Sequence, residues 1–188
     1  MEKYKQALLE ELYEPYRNCK QCPLGLLGRR NVVFGEGNPN AKLMFVGEGP
    51  GQKEDELCRP FVGRSGQLLT KSLEALNIKR EAVFITNVVK CRPPNNRKPL
   101  PNESDICTNL FLHKQIKIIR PKVICTLGSA ATQAFLEKDA KITKIRGKTF
   151  LKNGITIIPT YHPAYILRNN RELENFINDI TLAALQTK

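Results

Sequence analysis

At 188 residues the chain is sized for one compact domain spanning residues 1–188, with a core of ordinary extent. Hydrophobic residues make up 41% of it and no apolar run approaches the roughly 18 residues of a membrane span, which argues against an integral membrane protein. Thirty Lys and Arg against eighteen Asp and Glu leave a net charge of +12, the footprint of a protein that meets a polyanion, nucleic acid above all.

The first sixteen residues, MEKYKQALLEELYEPY, are charged and lack the apolar run of a signal peptide, so an intracellular setting is expected. Six cysteines in such a setting point to metal ligands, catalytic groups or buried apolar side chains before disulfides. Residues 3–16 place Ala7, Leu8, Leu9, Leu12, Tyr13 and Tyr16 at helical spacing, which predicts an amphipathic helix. A cysteine loop, Cys19-Lys20-Gln21-Cys22, follows it.

Strands and helices then alternate. Residues 41–48 (AKLMFVGE) predict a buried strand, and residues 65–77 a helix with Ser65 as its N-cap. Residues 82–89 (AVFITNVV) predict a second strand, and a Pro-rich loop over 92–101 leads into a helix from about 102 to 120. Residues 122–127 (KVICTL) predict a third strand and 128–136 a helix. A hairpin over 142–158 is centred on Asn153-Gly154, and its second arm, 155–161, supplies the last core strand before helical segments to the end. Such alternation predicts an α/β fold, a parallel sheet with helices on both faces. Sheets of this kind bind ligands beyond the carboxyl ends of their strands, where GEGPG, TNVVKCRPP and YHPAY all fall.

Gly47-Glu48-Gly49-Pro50-Gly51 is a glycine-rich turn without the Gly-Lys-Ser/Thr of a Walker loop. It also lacks dinucleotide-fingerprint spacing, and no helix is expected to begin at once after it. Phe61 stands between two helix-breaking stretches, either as a hydrophobic plug or as a face on which an extruded base stacks. Arg64, Ser65 and a helix start offer a cation, a hydroxyl and backbone N–H groups to phosphate. Asn87 lies in an apolar strand; its amide can satisfy neighbouring backbone or read the N3–H and O4 edge of uracil. His162, one of two histidines, follows a strand with Pro163 fixing the turn, and a neutral imidazole there can donate to a developing oxyanion. The other, His113, falls in a helix where a surface role is expected. Cys19, Cys22, Cys91 and Cys107 form a four-thiolate set suited to zinc or to an iron–sulfur cluster, and spacing does not choose between them. Cys125 reads as a buried apolar side chain, and Cys58 has no evident partner.

The ordered set GEGPGQKEDE, RPFVGRSGQLL, TNVVKCRPPNNRKP and HPAYILR, with CKQCPLG and the Cys107 helix, resembles the family 4 (iron–sulfur) uracil-DNA glycosylases over about residues 19–168. The resemblance implies a three-layer α/β/α sandwich around a four-stranded parallel sheet ordered 2-1-3-4. It also implies a [4Fe–4S] cluster of structural role on Cys19, Cys22, Cys91 and Cys107. By the same likeness Glu48 and Gly49 border uracil, Phe61 stacks on it, Asn87 reads its edge and His162 assists its departure. Glu48, His162 and Glu54 are then the candidate catalytic groups. The family 1 enzymes carry Asp where this chain has Gly49, so Glu48, with Glu54 as runner-up, is left to handle the attacking water.

The activity so implied is removal of uracil from single- and double-stranded DNA without strand cleavage, by a chain acting as a monomer. The base must leave the stack to be reached. Tyr165, Ile166 and Leu167 are candidates to wedge into the vacated space, with Arg168 on a flanking phosphate, or else they form the first turn of a packed helix. Hypoxanthine, xanthine and thymine opposite guanine stay open as other bases, and a non-catalytic nucleic-acid-binding module as another class. Gln6-x-x-Leu9-x-x-Leu12-Tyr13 has the spacing of a sliding-clamp-binding peptide, which core packing of the same face would equally explain.

Overall fold

The computed structural model describes residues 2–136 and 141–188. Helix α1 (Glu2–Tyr13) is followed by a two-residue strand β1 (Glu36–Gly37) and by β2 (Leu43–Gly47). Helices α2 (Gln52–Leu57) and α3 (Arg64–Ala75) precede β3 (Phe84–Asn87). Helices α4 (Pro101–Cys107) and α5 (His113–Ile119) are joined by a π-helical turn, Thr108–Leu112. Strand β4 (Val123–Leu127) and helices α6 (Ser129–Gln133) and α7 (Ile142–Ile145) lead to the hairpin β5 (Phe150–Lys152) and β6 (Ile155–Thr160). Helices α8 (Pro163–Ile166) and α9 (Leu173–Leu185) follow.

The sheet runs β1-β3-β2-β4-β6-β5. Its inner four strands are parallel and, counted along the chain as the four expected core strands, follow the order 2-1-3-4. The sheet has six strands rather than four, because β1 and β5 add an antiparallel strand at each edge. Both are too short to show a period-2 pattern. Within the inner strands that pattern sorts side chains between the layers. Met44, Val46, Phe84, Ile124 and Ile157 share a core cluster with Leu9, Phe111, Leu112, Ile119 and Ala131, hence with α1, the π turn, α5 and α6. Their alternates Leu43, Phe45, Ile85, Val123, Cys125 and Ile158 share the other with Leu69, Leu73, Ile166, Phe176 and Ile180, from α3, α8 and α9. Cys125 is therefore core, as expected. Among the described residues no helix is long and apolar enough to cross a membrane.

The hairpin turn forms at Asn153-Gly154 with positive φ at both residues (50° and 78°), the two-residue geometry that pair favours. Its first arm is only Phe150–Lys152, since residues 142–145 form α7. Two other expectations are corrected. A helix does begin directly after Gly51, because α2 (QKEDEL) is short and polar, with no apolar stripe to betray it. Ser65 is not the cap of α3 but its second residue; Gly63 takes the cap position in extended backbone. On α1, Leu9 is buried, Leu12 and Tyr13 are partly buried against the same core, and the Tyr13 hydroxyl donates to the Val32 carbonyl at 2.9 Å, while Gln6 is exposed.

Candidate active site

Strands β2 and β3 end in register, Gly47 opposite Asn87, and β4 and β6 end with Leu127 opposite Thr160. Beyond these ends lies a cavity of about 400 Å³ bordered by Glu48, Gly49, Glu54, Phe61, Asn87 and His162. Ser65, Tyr165 and Arg168 also line it, as do Pro93, Asn96 and Arg97 of the Pro-rich loop. Every uracil-site residue expected from the sequence thus borders one cavity. Of the expected phosphate contacts, Arg64 is exposed outside this lining, whereas Ser65 and Arg168 belong to it.

Two glycines let the walls close. A Cβ on Gly47 would meet the Phe61 ring at 2.4 Å and Asn87 Oδ1 at 2.5 Å. One on Gly66 would fall 2.0 Å from the Phe61 carbonyl, so the first turn of α3 sits directly on the Phe61 backbone. Phe61 itself takes φ of 50°, an unusual conformation for an aromatic residue that costs on the order of 1–3 kcal/mol and needs outside support. That support comes from Glu54, whose Oε1 accepts from Val62 N at 2.9 Å and Gly63 N at 2.7 Å. Arg80 adds a bond from Nη2 to the Pro60 carbonyl at 2.6 Å. Phe61 is both plug and wall: it belongs to a core cluster and faces the cavity, with its ring centroid 5.8 Å from that of His162. The neighbouring Asp55 ties α2 the other way, accepting from Arg30 N and Asn31 N.

Asn87 is 1% exposed, yet neither Oδ1 nor Nδ2 has a hydrogen-bond partner. Leaving both ends of a buried amide unpaired costs about 1–3 kcal/mol per group, which the reading as a satisfied structural Asn cannot accommodate. The amide is ready for a planar ligand that offers one donor and one acceptor.

His162 is half-buried at the start of α8, and its Nδ1 accepts from Ala164 N at 3.1 Å. That bond assigns the remaining proton to Nε2 and makes the ring a neutral donor. Burial, reinforced by the charge of Arg168 and opposed by Glu54, pushes its pKa down to about 4. Between about pH 4 and the ordinary His value of roughly 6.5, the unfolded chain therefore binds the proton that the folded chain refuses. Stability accordingly falls as pH drops through that window, by about 2–3 kcal/mol between pH 7 and 4.5. Urea midpoints for wild type and His162→Gln should show this loss in the wild type only; equal slopes would mean that His162 takes its proton at the ordinary pH.

Burial raises the pKa of Glu48, with Lys98 opposing, and the residue also borders a second cavity of about 550 Å³. Arg97 is held by a two-pronged bond to buried Glu103, at 2.7 and 2.8 Å. Around α8 the wedge candidates separate. Ile166 is 1% exposed and packs into the core, so it cannot enter DNA, whereas Leu167 is 44% exposed and Tyr165 lines the cavity.

The four cysteines 19, 22, 91 and 107 are buried and unpaired. Cys91 and Cys107 both lie within electrostatic reach of Cys19 and Cys22. Two basic residues face this nest. Arg29 donates through Nη2 to the Cys19 carbonyl at 2.8 Å and leaves its buried Nε without a partner. Lys90, wholly buried, directs its backbone N to Cys107 Sγ at 3.2 Å. Nothing in the sequence marked either residue. Cys58 stands apart on the surface, its thiol near Tyr13 and the Val32 carbonyl. His113 is exposed on α5, as expected.

Fold and site together define an α/β/α domain whose parallel strands end at one cavity lined by Glu48, Phe61, Asn87 and His162, in a chain that also holds four buried cysteines at 19, 22, 91 and 107. The chain belongs to the uracil DNA glycosylase superfamily, whose family model matches residues 34–183. It is 49% identical over 176 residues to a type-4 uracil-DNA glycosylase of Thermotoga maritima, covering 92% of this chain and 91% of the relative. Type-4 uracil-DNA glycosylases of Sulfurisphaera tokodaii and Pyrobaculum aerophilum are 48% and 42% identical, over 86% and 93% of this chain and 76% and 92% of theirs.

Proposed function

We propose that the chain, as an intracellular monomer, hydrolyses the N-glycosidic bond of deoxyuridine in single- and double-stranded DNA, releasing uracil and leaving an abasic site. The observation that carries this reading is the unpartnered Asn87 amide, buried at the end of β3 in a base-sized cavity. Its Oδ1 and Nδ2 suit the N3–H donor and O4 acceptor of uracil. Phe61 offers the stacking face and Gly49 a wall without a side chain. As the glycosidic bond breaks, charge gathers on the uracil oxygens, and the Nε2–H of His162 is a neutral donor for it. A water held at Glu48 then takes the sugar carbon, and an oxocarbenium-like centre needs only a weak nucleophile. Ser65 and Arg168 are assigned to flanking phosphates, with Arg64 as an outer contact and Tyr165 and Leu167 beside the vacated stack.

Cys19, Cys22, Cys91 and Cys107 are assigned as the ligands of a [4Fe–4S] cluster. The fit rests on four buried thiols beside Arg29, whose buried Nε is orphaned. When bound, the group ties the loop after β3 to the first cysteine loop, and no chemical step passes through it.

The test is an end-labelled oligonucleotide carrying one uracil, incubated with the protein in EDTA and then treated with hot alkali. Strand breakage seen only after alkali is the expected result. Intact DNA from protein with a full iron complement would refute uracil as the substrate and direct the search to hypoxanthine, xanthine or mispaired thymine.

A further inference from the structure

Lys90 is 0% exposed, and its Nζ donates three hydrogen bonds: to Thr86 Oγ1 at 2.6 Å, the Asn87 carbonyl at 2.7 Å and Gln115 Oε1 at 2.8 Å. The Asn87 carbonyl and Gln115 Oε1 can only accept. Gln115 Nε2 donates to the Phe34 carbonyl at 2.9 Å, which turns Oε1 toward the lysine, and the Thr86 hydroxyl lies within reach of that carbonyl and of Nζ. Nζ therefore donates to Asn87 and Gln115 whether it carries two protons or three. None of the ion pairs among the described residues includes it. Its backbone N meanwhile donates to Cys107 Sγ at 3.2 Å.

We propose that Lys90 is a positioning residue for uracil recognition: its Nζ, anchored by Thr86 and Gln115, fixes the main chain of Asn87. The proposal rests on the uracil-glycosylase reading and on the four-cysteine cluster. It gives the nest a role in the site beyond tying loops, because one side chain bonds to the residue that reads the base while its own peptide bonds to a cluster ligand. The Asn87 side chain has no hydrogen bond of its own to set its position, so the hold on its carbonyl matters more than one main-chain bond ordinarily would.

Lys90→Met keeps the length of the side chain and removes its hydrogen bonds. The holoenzyme, matched to wild type in iron content, should be inhibited by free uracil about tenfold more weakly, the equivalent of one lost hydrogen bond. In a double-mutant cycle with Asn87→Ala, the losses in kcat/KM should be clearly less than multiplicative, as expected if Lys90 acts through Asn87. Unchanged uracil inhibition in iron-replete Lys90→Met, or multiplicative losses, would overturn the proposal. Should that variant not assemble, Thr86→Val and Gln115→Met keep the lysine and remove one anchor each. Weakened uracil inhibition in both supports the proposal, and wild-type inhibition in both overturns it. Wild-type protein that releases no uracil would instead sink the glycosylase reading, so the two failures are distinguishable.

Discussion

Replacing Asn87 with alanine is expected to lower kcat/KM for uracil excision roughly 10³-fold while leaving the folded protein as stable as wild type, or slightly more so. The two halves of this expectation share one cause. In the free protein both ends of the amide are buried without partners, a cost the fold carries and alanine removes. With uracil in the cavity the same two atoms gain a donor and an acceptor in a site closed to water, where two such bonds amount to about 4 kcal/mol. Asn87→Leu, which fills the volume with apolar atoms, should raise the thermal midpoint further and be just as inactive. Steady-state kinetics on a uracil oligonucleotide and thermal unfolding of the same samples check both halves. A variant that lost stability and activity together would mean that Asn87 holds the strand end rather than the base.

How much of this was legible in the sequence depends on whether a signal is local. The parallel core was legible because its four strands are continuous apolar runs, as strands covered on both faces must be. The cavity lining was legible because each strand end carries residues that a plain turn would not need: Glu48 among glycines, Asn87 in an apolar run, His162 before a proline. What stayed hidden is set by distant contacts. Lys90 reads as one more basic residue in a loop, and only the packing of Gln115 and Cys107 around it reveals a buried amine bonded to the Asn87 carbonyl. The left-handed backbone of Phe61 cannot be foreseen without the Glu54 carboxylate that receives the next two N–H groups. The separation of Ile166 from Leu167 turns on the phase of a four-residue helix, which no periodicity can fix in so short a segment.

The choice between the two acids left open by Gly49 now has a structural basis. Substituting Glu48→Gln is expected to reduce kcat roughly 10²–10³-fold with little change in inhibition by free uracil. Glu54 has its Oε1 committed to Val62 N and Gly63 N, so a proton taken there would weaken the support of Phe61. Glu48 has no such commitment among the described residues, and it borders both the base cavity and a larger one. Glu54→Gln should therefore act on the loop: stability lower by about 1.5–3 kcal/mol, and a raised KM as Phe61 loses its hold. The pH profile separates the roles further. Burial raises the Glu48 pKa, so if its ionised form serves the reaction, activity falls on acidification at a pH above the ordinary carboxylate range. That acid limb should vanish in Glu48→Gln and persist in Glu54→Gln. His162 cannot produce it, since its own protonation waits until about pH 4. A Glu54→Gln enzyme of unchanged stability that had lost kcat and the acid limb would reverse the assignment and make Glu54 the acid that handles the water.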